Sequence, residues 1–197
     1  ALKNLAKDLK VSLYTVFLSA YCLMLRCYSN QNDIVIGTAT ANRHYAQISK
    51  LIGCFVNSLV LRVEINKHLK IEEFISFVSR EVIAAQIHQE LPFEKLVEEL
   101  GITRRIDRHP IFQVMFLMQN FDENVEGLLE AYTPRDSGFS TAKFDISTSI
   151  NITQPKIRGY FNYAVSLYSE NSIRSFIETY LLILRQFVKT SSQNKIF

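Results

Sequence analysis

From Leu13 to Leu25 apolar side chains recur at Leu13, Val16, Phe17, Ala20, Tyr21, Met24 and Leu25. That three-and-four spacing predicts a helix with one broad buried face. Ser12 stands just before it as an N-cap, a position where a hydroxyl accepts a hydrogen bond from an otherwise unpaired amide. The polar cluster Ser29-Asn30-Gln31-Asn32-Asp33 ends the helix, and the β-branched run Ile34-Val35-Ile36-Gly37-Thr38 reads as a short strand. Phe55 to Ile65 is apolar with partial alternation and reads as a buried strand. A second long helix is expected from Ile71 to Gln89, with Phe74, Phe77, Val78, Val82 and Ala85 on one stripe. Leu91-Pro92 breaks it, because proline has no amide and disfavours helix in the residue before it. Phe93 to Leu100 follows as a short helix ended by Gly101.

Ile111 to Met118 is almost continuously apolar. Its length favours a strand covered on both faces, with a buried helix as the alternative. Phe144, Ile146, Thr148, Ile150 and Ile152 alternate with Asp145, Ser147, Ser149 and Asn151, the mark of a half-exposed strand. Residues 156–165 form a further strand, joined hairpin-fashion through Thr153-Gln154-Pro155. The last helix spans Ser172 to Val188, with Ile173, Phe176, Ile177, Tyr180, Leu181, Leu184 and Phe187 facing inward. Between the two long strands lie Asp122 to Lys143, a connection long enough to be functional or mobile. Helices interleaved with strands, and no internal repeat, predict an α/β fold, a two-layer α+β sandwich with a mixed sheet.

The 197 residues allow one domain with a sizeable core, and the composition is 48% hydrophobic and 21% charged. A net charge of +3, with no basic run longer than Arg104-Arg105, disfavours nucleic acid as a partner. No segment approaches the roughly 20 apolar residues of a membrane span. Cys22, Cys27 and Cys54 are odd in number and form no C-x-x-C, which suits neither a disulfide framework nor zinc. All three are expected as small buried hydrophobes, in a reducing cytoplasm. The opening Ala1-Leu2-Lys3-Asn4-Leu5 has no initiating Met and is what a fragment of a longer polypeptide would show.

Little in the residues alone points to chemistry. His44, His68, His88 and His109 stand at least 20 residues apart and form no metal-binding spacing. Neither a nucleophile elbow nor a phosphate-binding loop occurs among the six glycines. On its own the chain reads as non-catalytic.

Two segments carry a different kind of information. Leu51-Ile52-Gly53-Cys54-Phe55-Val56-Asn57-Ser58-Leu59-Val60-Leu61-Arg62, followed by His88-Gln89-Glu90-Leu91-Pro92-Phe93-Glu94, resembles two signature segments of the condensation domains of non-ribosomal peptide synthetases. Ser12-Leu13-Tyr14 opening a helix, Asp33 to Thr38 with Ala41-Asn42-Arg43, and Thr141-Ala142-Lys143-Phe144-Asp145 are similar to further parts of that family. Arg104 to Phe112 resembles its R-D-x-S-R-x-P-L-F segment with two departures, since Arg105 replaces the acidic residue and Asp107 the serine. The resemblance spans essentially the whole chain, and it disfavours the epimerisation and heterocyclisation relatives of the same fold.

The resemblance implies a chloramphenicol acetyltransferase-like fold of two halves enclosing a tunnel. There an amine attacks a thioester, both substrates arriving on phosphopantetheine arms of donor and acceptor carrier proteins. The chemistry is attributed to a His-His-x-x-x-Asp-Gly motif of the first half, which these residues do not contain. The chain thus resembles the C-terminal subdomain over residues 1–197, with the N-terminal half as partner, no catalytic residue, no metal and no cofactor of its own. The alternative is a catalytically silent domain of the same fold that recruits partner proteins.

For individual residues two readings stand side by side. Gly53, Asn57 and Ser58 match the G-x-F-V-N-T segment and line the tunnel, or Asn57 merely satisfies backbone groups beside a strand. Gln119 and Asn120 end an apolar strand, either facing a cavity where an amide could steady an oxyanion or simply leaving for solvent. Arg43, Arg62 and Arg104 are candidates for a salt bridge to the Asp of the missing motif, because a guanidinium stays charged and grips a carboxylate with two bonds. Arg43 is the first choice, and a local role is the alternative for each. His88, Gln89, Pro92, Phe93 and Glu94 are expected to be structural, with His88 capping and Phe93 anchoring the turn in the core. Glu94, Lys95, Glu98 and Glu99 are a solvated face, and Asp122 to Lys143 is either a bridge to the first half or a surface loop.

Overall fold

Ser12 accepts a hydrogen bond from the Thr15 amide at 3.0 Å, and Asn30 closes the same helix in a left-handed conformation with φ 53°. A short polar side chain tolerates that conformation, so the helix is bounded at both ends by its own sequence. The computed structural model describes residues 1–43, 45, 47, 51–103, 105, 108–120, 142–153 and 156–189. Its elements are α1 Leu2–Asp8, α2 Leu13–Ser29, β1 Asp33–Thr40, β2 Asn57–Glu64, α3 Ile71–Ile87, α4 Phe93–Glu99, β3 Val114–Asn120, β4 Ile146–Thr153, β5 Lys156–Tyr163 and α5 Glu170–Lys189.

The strands form one mixed sheet in the order β2-β1-β3-β4-β5. β1, β3 and β4 run parallel, while β2 and β5 are antiparallel at the two edges. Registers such as Ile36 opposite Leu61 and Phe116 opposite Thr148 put the alternating apolar residues on one face. Helices α2, α3 and α5 cover that face, and Val16, Leu18, Phe74, Ile75, Val78 and Phe187 fill the space between. Burying each such side chain contributes about 1.5–3 kcal/mol. The result is the expected two-layer sandwich with a mixed sheet.

Several boundaries differ from the sequence pattern for definite reasons. α1 was not anticipated, although Leu2, Leu5, Ala6 and Leu9 have helical spacing; it packs on α2 after a turn of 106°. α3 stops at Ile87, four residues before Leu91-Pro92, because the chain already turns at His88. β3 begins at Val114 rather than Ile111, and β4 at Ile146 rather than Phe144, since Phe112 and Phe144 leave the sheet to stack on each other. On α5, Leu181 is exposed and Ile183 takes its place in the core. Of the cysteines only Cys22 is buried, whereas Cys27 and Cys54 are exposed free thiols.

The opposite face of the sheet is built differently. Gly37 has no side chain, and Phe112 uses the space: a Cβ on Gly37 would lie 2.0 Å from the Phe112 ring. Phe112 in turn lies 4.1 Å from His109, 5.5 Å from Phe144 and 5.7 Å from Phe93, ring centre to ring centre. Such rings pack by their edges and offset faces. No single helix among the described residues is long and apolar enough to cross a membrane.

Candidate functional site

Asn57 opens β2, and its one amide group joins the two signature segments. The side-chain nitrogen donates to the carbonyl oxygens of Gln89 (2.9 Å) and Leu91 (2.7 Å). The side-chain oxygen accepts from the amides of Phe93 (3.2 Å) and Ser58 (3.0 Å). Both donors and the acceptor of this residue are therefore used. The turn between α3 and α4 lacks regular backbone partners, so a side chain supplies them. Gln89 is held a second time, its Oε1 accepting from Thr40 Oγ1 at 2.7 Å, and Glu90 accepts from the Tyr45 hydroxyl at 2.6 Å.

The loop before β2 is fastened by Arg43. Its guanidinium donates to the carbonyls of Leu51 (2.6 Å) and Gly53 (3.0 Å) and lies 4.4 Å above the Phe55 ring. A planar cation suits both tasks at once. Leu51, Ile52 and Val56 are nonetheless exposed, so the loop presents apolar side chains outward.

A cavity of about 420 Å3 opens where β1 and β3 end, between the sheet, the first turn of α2 and the last turns of α3. Leu59, Leu61, Val82 and Met118 line its walls, and Gln86 and Gln119 stand among its polar lining. Tyr14 Oη donates to Thr38 Oγ1 at 3.0 Å, and Thr38 Oγ1 donates to the Phe116 carbonyl at 2.9 Å. Burial raises the Tyr14 pKa far above its ordinary value, outweighing the hydrogen bond shared with Thr38, so the phenol is neutral at any physiological pH.

The structure brings some of the expected site residues together and separates others. Asn57 and Ser58 flank Val56 and Leu59 of the cavity, and Gln119 is in it. Gly53 belongs to the loop held by Arg43, away from the cavity lining. Asn120 ends β3, and Arg104 and the stretch from Asp122 to Thr141 lie outside the described residues. Arg62 sits far along β2, where it grips Asp33 with bonds of 2.9 to 3.2 Å. Those bonds hold the Asp33 carboxyl below its ordinary pKa.

His88 is the exposed C-terminal cap of α3, and Pro92 is the N-cap of α4. Phe93 is the anticipated anchor, half-buried against His109 and Phe112. Glu94 is exposed, while Lys95 pairs with Glu98 and Glu99 on the solvated face. Tyr14, Thr38 and Thr40 escaped the sequence reading, because each ends or begins an element whose apolar pattern drew attention instead. A hydroxyl closing an otherwise β-branched run was the available signal.

Nothing in this arrangement is a nucleophile with its base. The Cys22 thiol is buried, which raises its pKa and leaves it inert. Among the described residues no group of His, Cys, Asp or Glu is placed to hold a metal ion. What the site offers is a neutral, partly polar cavity beside two segments tied into one piece.

The model of the condensation domain family matches residues 1–195. The chain belongs to that family. N-(5-amino-5-carboxypentanoyl)-L-cysteinyl-D-valine synthase from Amycolatopsis lactamdurans is 39% identical over 196 residues, covering 100% of this chain and 5% of the synthase. The chain thus spans a small part of the curated relative it matches. In structure it is similar to the condensation domain from Monacolin K polyketide synthase MokA, with TM-score 0.83 and 23% identity over 96% of this chain and 44% of that one. The X-domain from teicoplanin biosynthesis has the same fold, with TM-score 0.83 and 20% identity over 98% of this chain and 45% of that one. The condensation-domain fold is the chloramphenicol acetyltransferase-like one that the two signature segments implied.

Proposed function

We propose that this condensation-domain chain is the C-terminal half of a domain that joins two carrier-bound acyl groups through an amide. The observation that carries the proposal is one of proportion: the family model matches residues 1–195, yet the chain spans only 44% of the MokA condensation domain. The His-His-x-x-x-Asp-Gly motif does not occur in the 197 residues, so the reacting groups belong to the other half. In this reading Asn57, Ser58 and Gln119 stand along one wall of the substrate tunnel and the Arg43 loop faces the partner half. The phosphopantetheine arms arrive on donor and acceptor carrier proteins as substrate. The setting is the cytoplasm, in keeping with three cysteines that are all free thiols.

The Arg43 guanidinium holds the carbonyls of Leu51 and Gly53. We therefore assign it the shape of that loop rather than a salt bridge across the cleft. The fold by itself does not separate amide formation from a silent domain of the same shape. The 39% identity to a synthase supports the catalytic reading.

The test is reconstitution of the complete domain with both carrier proteins loaded, followed by mass spectrometry of the product. Amide on the acceptor carrier is the expected result. Binding of both carriers without any amide would sink the catalytic reading in favour of recruitment.

A further inference from the structure

The cavity at the ends of β1 and β3 has a chemical preference that can be read from its hydrogen bonds. None of its lining residues carries a formal charge. A charged group entering it would lose hydration with no counter-charge among these residues to replace it. Its walls of Leu59, Leu61, Val82 and Met118 favour apolar atoms instead. At about 420 Å3 it falls within the roughly 300–1,000 Å3 found for small-molecule pockets, room enough for one large side chain.

The Tyr14–Thr38 pair is one-sided, whereas Gln86 and Gln119 in the same lining each carry both donors and an acceptor. Tyr14 spends its only hydrogen on Thr38, and Thr38 spends its own on the Phe116 carbonyl. A hydroxyl carries one hydrogen and two lone pairs, so these two oxygens have acceptor capacity left and no donor. A ligand group that donates is satisfied there. A group that only accepts is left unpaired at these two oxygens.

We infer that this cavity is a side-chain subsite, taking a bulky, uncharged side chain with a hydrogen-bond donor at its far end from a carrier-bound amino acid. This rests on the function proposed above and adds the class of substrate. The same side chain can come from either carrier, so the experiment has two arms. In the complete domain, alanyl, phenylalanyl, tyrosyl, glutamyl and lysyl groups are loaded in turn on the donor carrier, then on the acceptor carrier, and kcat/KM is measured. Tyrosyl is expected to lead in one arm, with glutamyl and lysyl last.

Ala41 lines the cavity mouth and is exposed, so Ala41→Trp narrows the entrance without disturbing the core. It should lower the tyrosyl-to-alanyl ratio of kcat/KM about tenfold or more in that arm. Tyr14→Phe keeps the ring and removes one acceptor, and should lower the tyrosyl-to-phenylalanyl ratio. Glutamyl or lysyl used as well as tyrosyl in both arms overturns the subsite, as does an unchanged tyrosyl-to-alanyl ratio in Ala41→Trp. Absence of condensation with every group, alanyl included, overturns the functional reading itself.

Discussion

The two faces of the sheet are held by different physics. On one, α2, α3 and α5 lay aliphatic stripes over Ile34, Ile36, Leu61, Val63, Phe116 and Ile150. Many side chains share that burial, and each is one of several on a repeating pattern. On the other, Gly37 makes room for one ring, and Phe112, His109, Phe144 and Phe93 stack around it. The first face tolerates exchange among similar residues, because volume is spread over many positions. The second depends on single residues with no substitute.

The contrast breaks most visibly at Gly37. Gly37→Val places methyl groups inside the Phe112 ring and should cost about 3 kcal/mol or more in urea unfolding. Adding Phe112→Leu should recover part of that loss, a coupling that similar-volume exchanges on the helical face will not show. Measured additivity of the pair would erase the distinction.

Asn57→Ala is next. It leaves two carbonyls and two amides without a partner and should cost about 2–3 kcal/mol, with faster amide exchange confined to residues 88–93. A uniform loss of protection over the whole chain would argue against a local fastener. Ser12→Ala, on the helical side, should cost only about 1 kcal/mol, since α2 is still packed along its length.

The gentlest probe is pH. Burial among the rings lowers the His109 pKa below its ordinary 6.5, and the Phe112 backbone offsets only part of this. The unfolded chain therefore takes up the proton first. The associated stability is present above about pH 6.5 and is lost as pH falls through the folded value. His109→Phe keeps a ring and removes the proton site, so stability between pH 7 and 5 should fall less steeply than in the wild type. Equal slopes would place His109 in water rather than in the stack.

The same division explains what was legible in the sequence. The helical face follows from period and capping: Ser12, the α2 stripe and the hairpin of β4 and β5 were all readable, because their determinants are neighbours in the chain. The opposite face was not. Phe112 and Phe144 continue apolar runs and so read as strand, and only the position of Gly37, 75 residues before Phe112, shows that a ring turns away instead. Leu181 misled for a smaller reason, since an apolar residue at the stripe's edge can lie on either side of it. The candidate site was half legible. Asn57 and Gln119 stood out as polar groups bounding apolar runs, whereas Tyr14 and Thr38 gain their meaning from a bond across 24 residues.

The bonds made by Asn57 are alike in one respect. Every partner is a main-chain atom: the amide of its neighbour Ser58, the carbonyls of residues 89 and 91 and the amide of residue 93. Main-chain atoms are common to almost every amino acid. The side chain of Leu91 is therefore at liberty to change, and the turn will keep its grip. Specification of the main-chain joint is concentrated in a single codon, the one for residue 57, while Thr40 and Tyr45 reach only the side chains of Gln89 and Glu90.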